Sequence, residues 1–145
     1  MFVVVLFNMS NIGFFYHTAF VLANEAALQK WLKAVAGVEK KELLQVEYNF
    51  VDEKEIIKLN QDHLGHNYPT DVLTFDYSSG NQIHAEIFVC EQVVKSNAAE
   101  LNAPFLKELH RVVLHGLLHL LGHNDKTPEE QKNIRLLEDK YLKEL

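Results

Sequence analysis

The apolar positions of this chain switch repeatedly between two spacings, and the switches mark its elements. Ile12 to Phe20 is aromatic and β-branched, which predicts a first strand. After Asn24, an N-cap residue type, Ala27, Leu28, Trp31, Leu32 and Val35 recur at helical spacing, and Gly37 is expected to stop that helix. Leu44, Val46, Tyr48 and Phe50 then alternate with Gln45, Glu47 and Asn49, the period of a half-buried strand. Asp52 followed by Glu55 is a capping-box pattern that opens a short helix through Leu59. Residues 60–70, NQDHLGHNYPT, are polar and broken by Gly65 and Pro69, so a loop is expected there.

DVLTFDY and QIHAEIFVC read as two strands, with Ser78-Ser79-Gly80 between them as a hairpin turn. Helical patterns follow at 91–101 and 104–121. Thr127-Pro128-Glu129-Glu130 then combines a cap, a proline in the first turn and a Glu at the reciprocal position, and starts a last amphipathic helix. The order β-α-β-α-β-β-α-α-α implies an α+β fold: a small mixed sheet packed with helices, in one domain over residues 1–145. No repeat, linker or low-complexity segment interrupts it.

Within this pattern one stretch is anomalous. From Val112 to Leu121 every residue is Val or Leu except His115, Gly116 and His119. A helix apolar nearly all round is a buried, central one. His115 and His119 are four apart and share a face. A lone buried histidine is more often a satisfied core residue than a ligand. A pair followed by further ligand-type residues points instead to metal. Gly122 is placed to cap the helix and turn the chain, so that His123, Asn124 and Asp125 return on a tight loop and one of them can complete a three-donor site. Imidazole and carboxylate suit zinc, and three protein ligands with an open fourth position are the catalytic rather than the structural pattern. The expected site therefore lies at the C-terminal end of the buried central helix. The zinc-peptidase motif H-E-x-x-H needs Glu beside its first His, and Gly116 stands there, which reduces a peptidase to a minor alternative.

Composition narrows the picture further. The net charge is −6, which argues against a protein that coats nucleic acid by bulk electrostatics but not against a locally basic groove. The single cysteine, Cys90, allows no internal disulfide and reads as a small buried hydrophobe of a reducing compartment. Met1 to Phe7 has neither a basic start nor a small-residue cleavage site and is too short to span a bilayer, so a cytoplasmic protein with no membrane partner is expected. With a second methionine at position 9, residues 1–8 read as an upstream extension of the reading frame.

His-Gly-x-Leu-His-Leu-x-Gly, preceded by Glu108-Leu109, resembles the YbeY family of bacterial metallo-endoribonucleases, which act in ribosomal RNA maturation. Leu59-Asn60 with PTDVLTF (Pro69 to Phe75) is similar to that family's second signature, and AEIFV (Ala85 to Val89) sits where the family has a Gly-Asp-led strand. The resemblance implies a zinc-dependent endoribonuclease specific for single-stranded RNA, active in ribosome quality control and 16S rRNA 3′ end maturation. Its partners would be small-subunit rRNA and the ribosome, with no DNA expected. It also implies His115, His119 and Asp125 as the holders of one zinc ion. The family's usual third ligand, ten residues after the first, is a His; that register holds Asp125 here, while a rival, His123, occupies a position where the family usually has Tyr. A further departure is Leu64, where the family commonly carries an Arg suited to a phosphate, with His66, Arg111 and Lys126 as substitutes to consider. The reading from another class is a non-catalytic ribosome-assembly factor with a structural zinc.

Overall fold

The computed structural model describes residues 11–145, so the N-terminal extension proposed for residues 1–8 lies outside the described residues. The elements run β1 (Ile12–Tyr16), α1 (Glu25–Val38), β2 (Glu42–Val51), α2 (Glu53–Leu64), β3 (Val72–Asp76), β4 (Gln82–Cys90), α3 (Glu91–Glu100), α4 (Phe105–Leu120) and α5 (Pro128–Leu142). This is the expected α+β order. The four strands form one mixed sheet in the order β1-β2-β4-β3. β1, β2 and β4 are parallel, and β3 pairs antiparallel with β4 through the hairpin.

Alternation along the strands gives the sheet two apolar faces. One carries Val46, Tyr48, Phe50, Ala85, Ile87 and Val89 into the main core, shared with α1, α4 and α5. The other carries Val51 and Leu73 against Ile56 of α2, in a smaller cluster that includes the buried Cys90. α4 is the central helix, with ten of its residues buried. Its backbone is pinned to the sheet by Tyr48, whose hydroxyl donates to the Val113 carbonyl at 2.8 Å. At Gly116 α4 packs close against the sheet: a Cβ built there would lie 3.1 Å from Ile87 Cγ2 and 3.4 Å from Thr74 Cγ2. Position 116 therefore faces the core, where a larger side chain would press on Ile87 and Thr74.

Several boundaries differ from the sequence expectation. β1 stops at Tyr16 rather than Phe20. Gly37 does not end α1; the helix runs to Val38 and Lys40 takes the left-handed conformation, with φ 61°. In β2 the pairing shifts between Leu43 and Gln45, so Leu43 is buried and Leu44 is exposed, the reverse of strict alternation. α2 does not end at Leu59 but takes in the first five residues of the expected loop, ending at Leu64. Gly65 caps it in the left-handed region (φ 72°), and its N–H and that of His66 close onto the carbonyls of Gln61 and Asn60. Asp52 caps the start of α2 as expected, accepting from the Glu55 N–H.

Candidate metal centre

α4 presents His115 and His119 one turn apart, with ring centroids 4.5 Å apart and nearly perpendicular planes. The helix then ends in a Schellman closure: the Gly122 N–H bonds to the His119 carbonyl and the His123 N–H to the Leu118 carbonyl. Gly122 has φ 102°, a conformation that L side chains rarely adopt. This closure turns the chain back, and α5 begins at Pro128 with a full capping box between Thr127 and Glu130. Asp125 lies on the return loop between these two fixed ends.

The geometry brings three of the predicted residues together. His119 Nε2 lies 3.0 Å from His115 Nε2, and Asp125 Oδ2 lies 3.2 Å from His115 Nε2 and 3.3 Å from His119 Nε2. Zinc bonds of about 2.0–2.1 Å at tetrahedral angles place neighbouring ligand atoms about 3.3–3.4 Å apart, so this triangle has the dimensions of one face of such a site. The set could hold a metal ion. His123, the rival third ligand, points away. Its Nε2 pairs with Glu39 Oε1 at 2.8 Å, and the Tyr141 hydroxyl donates to the other oxygen of Glu39 at 2.7 Å. His123 thus ties the return loop to the end of α1 and to α5.

A fourth residue, missed in the sequence, completes the arrangement. Glu138 of α5 places Oε2 2.5 Å from His115 Nδ1, and its Oε1 accepts from Arg111 at 3.0 Å. Its side chain is only 3% exposed. A neutral His115 with a carboxylate at Nδ1 carries its proton there and turns the Nε2 lone pair toward His119 and Asp125. Three acceptors facing one another invite a cation. Without an ion, burial disfavours a charge on His115, but the hydrogen bond to Glu138 and the charges of Glu138, Asp125 and Asp71 outweigh it and raise its pKa. Burial, reinforced by the charge of its neighbour His115, lowers that of His119. Glu138 was legible in principle as an acid at the core-facing spacing of Ile134, Glu138 and Tyr141, all buried on α5.

Two hollows open onto the triangle. One, of about 260 Å³, is the cleft between α4 and the PTDVLTF segment, lined by Leu64, Thr70, Asp71 and Thr74 besides the three donors. The other, of about 230 Å³, lies toward α5 and includes Glu108, Arg111, Arg135 and Glu138. Of the substitutes for the missing Arg, Arg111 is committed elsewhere: its side chain is 10% exposed and bound to Glu138 and to Asp139, the latter at 2.9 Å. Arg135 is exposed and was not foreseen. Asp71 is half-buried at the cleft, and burial raises its pKa.

Fold and site together define an α+β domain with a candidate metal centre at the end of its central helix, open on one side. The family model described as "Endoribonuclease YbeY" matches residues 17–145, and the chain belongs to that family. Among curated proteins, "Endoribonuclease YbeY" of Bacteroides fragilis is 40% identical over 113 residues, 78% of this chain and 81% of its own length. "Endoribonuclease YbeY" of Flavobacterium johnsoniae is 40% identical over 131 residues, covering 90% and 94%. The solution structure of TM1509 from Thermotoga maritima superposes with a TM-score of 0.65 at 33% identity, covering 92% of this chain and 87% of that one.

Proposed function

We propose that this chain is a zinc-dependent endoribonuclease that cuts single-stranded RNA, acting in the cytoplasm on the 3′ end of 16S rRNA and in ribosome quality control. The observation that carries the reading is the triangle of His115, His119 and Asp125, backed by Glu138 and open to the cleft. The relatives' names supply the substrate class. When bound, zinc supplies a Lewis acid for a phosphoryl oxygen and lowers the pKa of a coordinated water to about 7. The chain's own contribution is positional. Glu138 fixes the ring of His115, the capped turn at Gly122 fixes Asp125, and Leu64, Thr70 and Thr74 wall a cleft beside the donors. A flexible strand can bend a phosphate into such a cleft, whereas a stiff duplex cannot. Among the described residues no helix is long and apolar enough to cross a membrane.

The test compares the wild type with Asp125→Ala on a single-stranded fragment of small-subunit RNA, after circular dichroism shows both to be folded. Slow, metal-dependent cleavage by the wild type alone, with duplex RNA and DNA spared, is the expected result. Equal cleavage by both proteins would expose a contaminating nuclease. The acidic balance and Leu64 would then favour a non-catalytic assembly factor.

A further inference from the structure

Beyond the metal centre, the cleft has an unusual rim. The segment between α2 and β3 leaves the cleft at Leu64 and re-enters it at Thr70, since both line it. Between them, His66 and Tyr68 stack on each other with ring centroids 5.2 Å apart and planes within 13°. Both are exposed, Tyr68 at 54%. Exposed aromatic rings are common and a single one needs no explanation. This pair differs because its backbone is held. Asn60, 2% exposed, donates from Nδ2 to the Tyr68 carbonyl at 2.9 Å, and its own carbonyl accepts from the His66 N–H at 3.3 Å. One buried residue, through its side chain to Tyr68 and its backbone carbonyl to His66, thus holds the backbone beneath a stacked π surface that faces solvent. Tyr68 is two residues from Thr70, so its Cα lies within about 7.6 Å of a cleft-lining residue.

We infer that the stacked rings of His66 and Tyr68 form a platform for the nucleobase next to the phosphate presented to His115, His119 and Asp125. The inference rests on the endoribonuclease reading and deepens it. Among the described residues the lining of this cleft contains no Lys or Arg, so a strand entering there finds no side-chain cation on its walls. Stacking on a preformed aromatic surface is the alternative grip, and it tolerates any base because every base has a π face. Tyr68 faces this task at little ordering cost, because its backbone is already tied to Asn60.

The experiment uses the purified protein and two 2′-O-methyl hexamers, one intact and one with its bases removed, with binding read by fluorescence anisotropy. Tyr68→Ala should weaken binding of the intact hexamer about 5- to 150-fold, the range for one stacked base, and leave the abasic one unchanged. The substitution spares the Tyr68 carbonyl that Asn60 holds, so the loop keeps its anchor. Cleavage of ordinary single-stranded RNA should show a matching rise in KM with kcat nearly constant, and Tyr68→Trp should restore both readouts. Equal weakening of the two hexamers, or no weakening, overturns the platform. A wild type that cuts RNA beside an unaffected Tyr68→Ala overturns the platform alone. A wild type that cuts no single-stranded RNA overturns the endoribonuclease reading and the platform with it.

Discussion

Glu138→Gln isolates the contribution of a side chain that touches no substrate. Glu138 accepts on both sides, from His115 Nδ1 through one oxygen and from Arg111 through the other. Glutamine keeps the shape but has one acceptor and one donor group. If its oxygen faces His115, its NH₂ meets the Arg111 guanidinium, and two donors oppose each other. If its oxygen faces Arg111, its NH₂ meets Nδ1, and the imidazole proton moves to Nε2, the atom proposed to bind zinc. Either orientation weakens the site. At 3% exposure no water rearrangement relieves the conflict. Removing a partner of this kind costs 10- to 100-fold in metal affinity, about 1.4–2.7 kcal/mol. The assay is zinc competition against a chromophoric chelator, with His115→Ala as the reference for complete loss and near-ultraviolet circular dichroism to confirm packing. A folded Glu138→Gln protein that binds zinc as tightly as the wild type would falsify the role assigned to this carboxylate.

Three further outcomes follow from the return loop and the helix start it leads into. Native protein should carry about one zinc per chain by elemental analysis. Asp125→Ala should lose most of it, whereas His123→Phe should keep it and lose only about 1 kcal/mol of stability from the broken Glu39 contact; an empty site in His123→Phe beside a filled one in Asp125→Ala would reverse the assignment. Thr127→Ala removes the side-chain acceptor of the capping box at the start of α5. It should lower unfolding free energy in urea by about 1 kcal/mol, and an unchanged midpoint would show that the cap contributes nothing.

The elements that sequence patterning identified are those whose local signals agree with their tertiary setting. The boundaries of β4 match QIHAEIFVC because its alternation, hairpin and following helix start all coincide. α5 begins where the Thr127-Pro128-Glu130 chemistry puts it. The length of α2 is hard to read because Asn60, Gln61, Asp62 and His63 are polar, a signal a helix end shares with a loop, although Gly65 carries the C-cap signal. The slip at Leu43 and Leu44 is set by how β2 pairs with β4, which no local pattern encodes. The same holds for the insertion of β4 between β2 and β3. At the site, His115 and His119 were visible through their spacing on one helix, and Asp125 through its register against a family pattern. For Glu138 the sequence carries only the core-facing spacing with Ile134 and Tyr141; its contact with His115, 23 residues away, is set by the packing of α5 on α4.

Charge links the departures at Asp125 and Leu64. A dication held by two neutral imidazoles and one carboxylate keeps a net charge of about +1, whereas three imidazoles would leave it +2. The nearest further carboxylate, Glu138, is matched by Arg111, so the pair adds nothing at long range. Asp71 adds no positive potential, and among the described residues the cleft lining holds no Lys or Arg. Arg135 sits on the other hollow. A phosphate entering the cleft would therefore feel a weaker attraction than in a site with a third histidine and an arginine wall. Counterion release scales with the number of phosphates neutralised, so little of it is available to drive binding here. Affinity for a free strand then falls to short-range contacts, the part proposed above for the stacked rings of His66 and Tyr68. Such contacts act only on a strand already close by. A ribosome that holds an RNA end near the cleft would supply that proximity, raising the local concentration of substrate without any new contact inside the site.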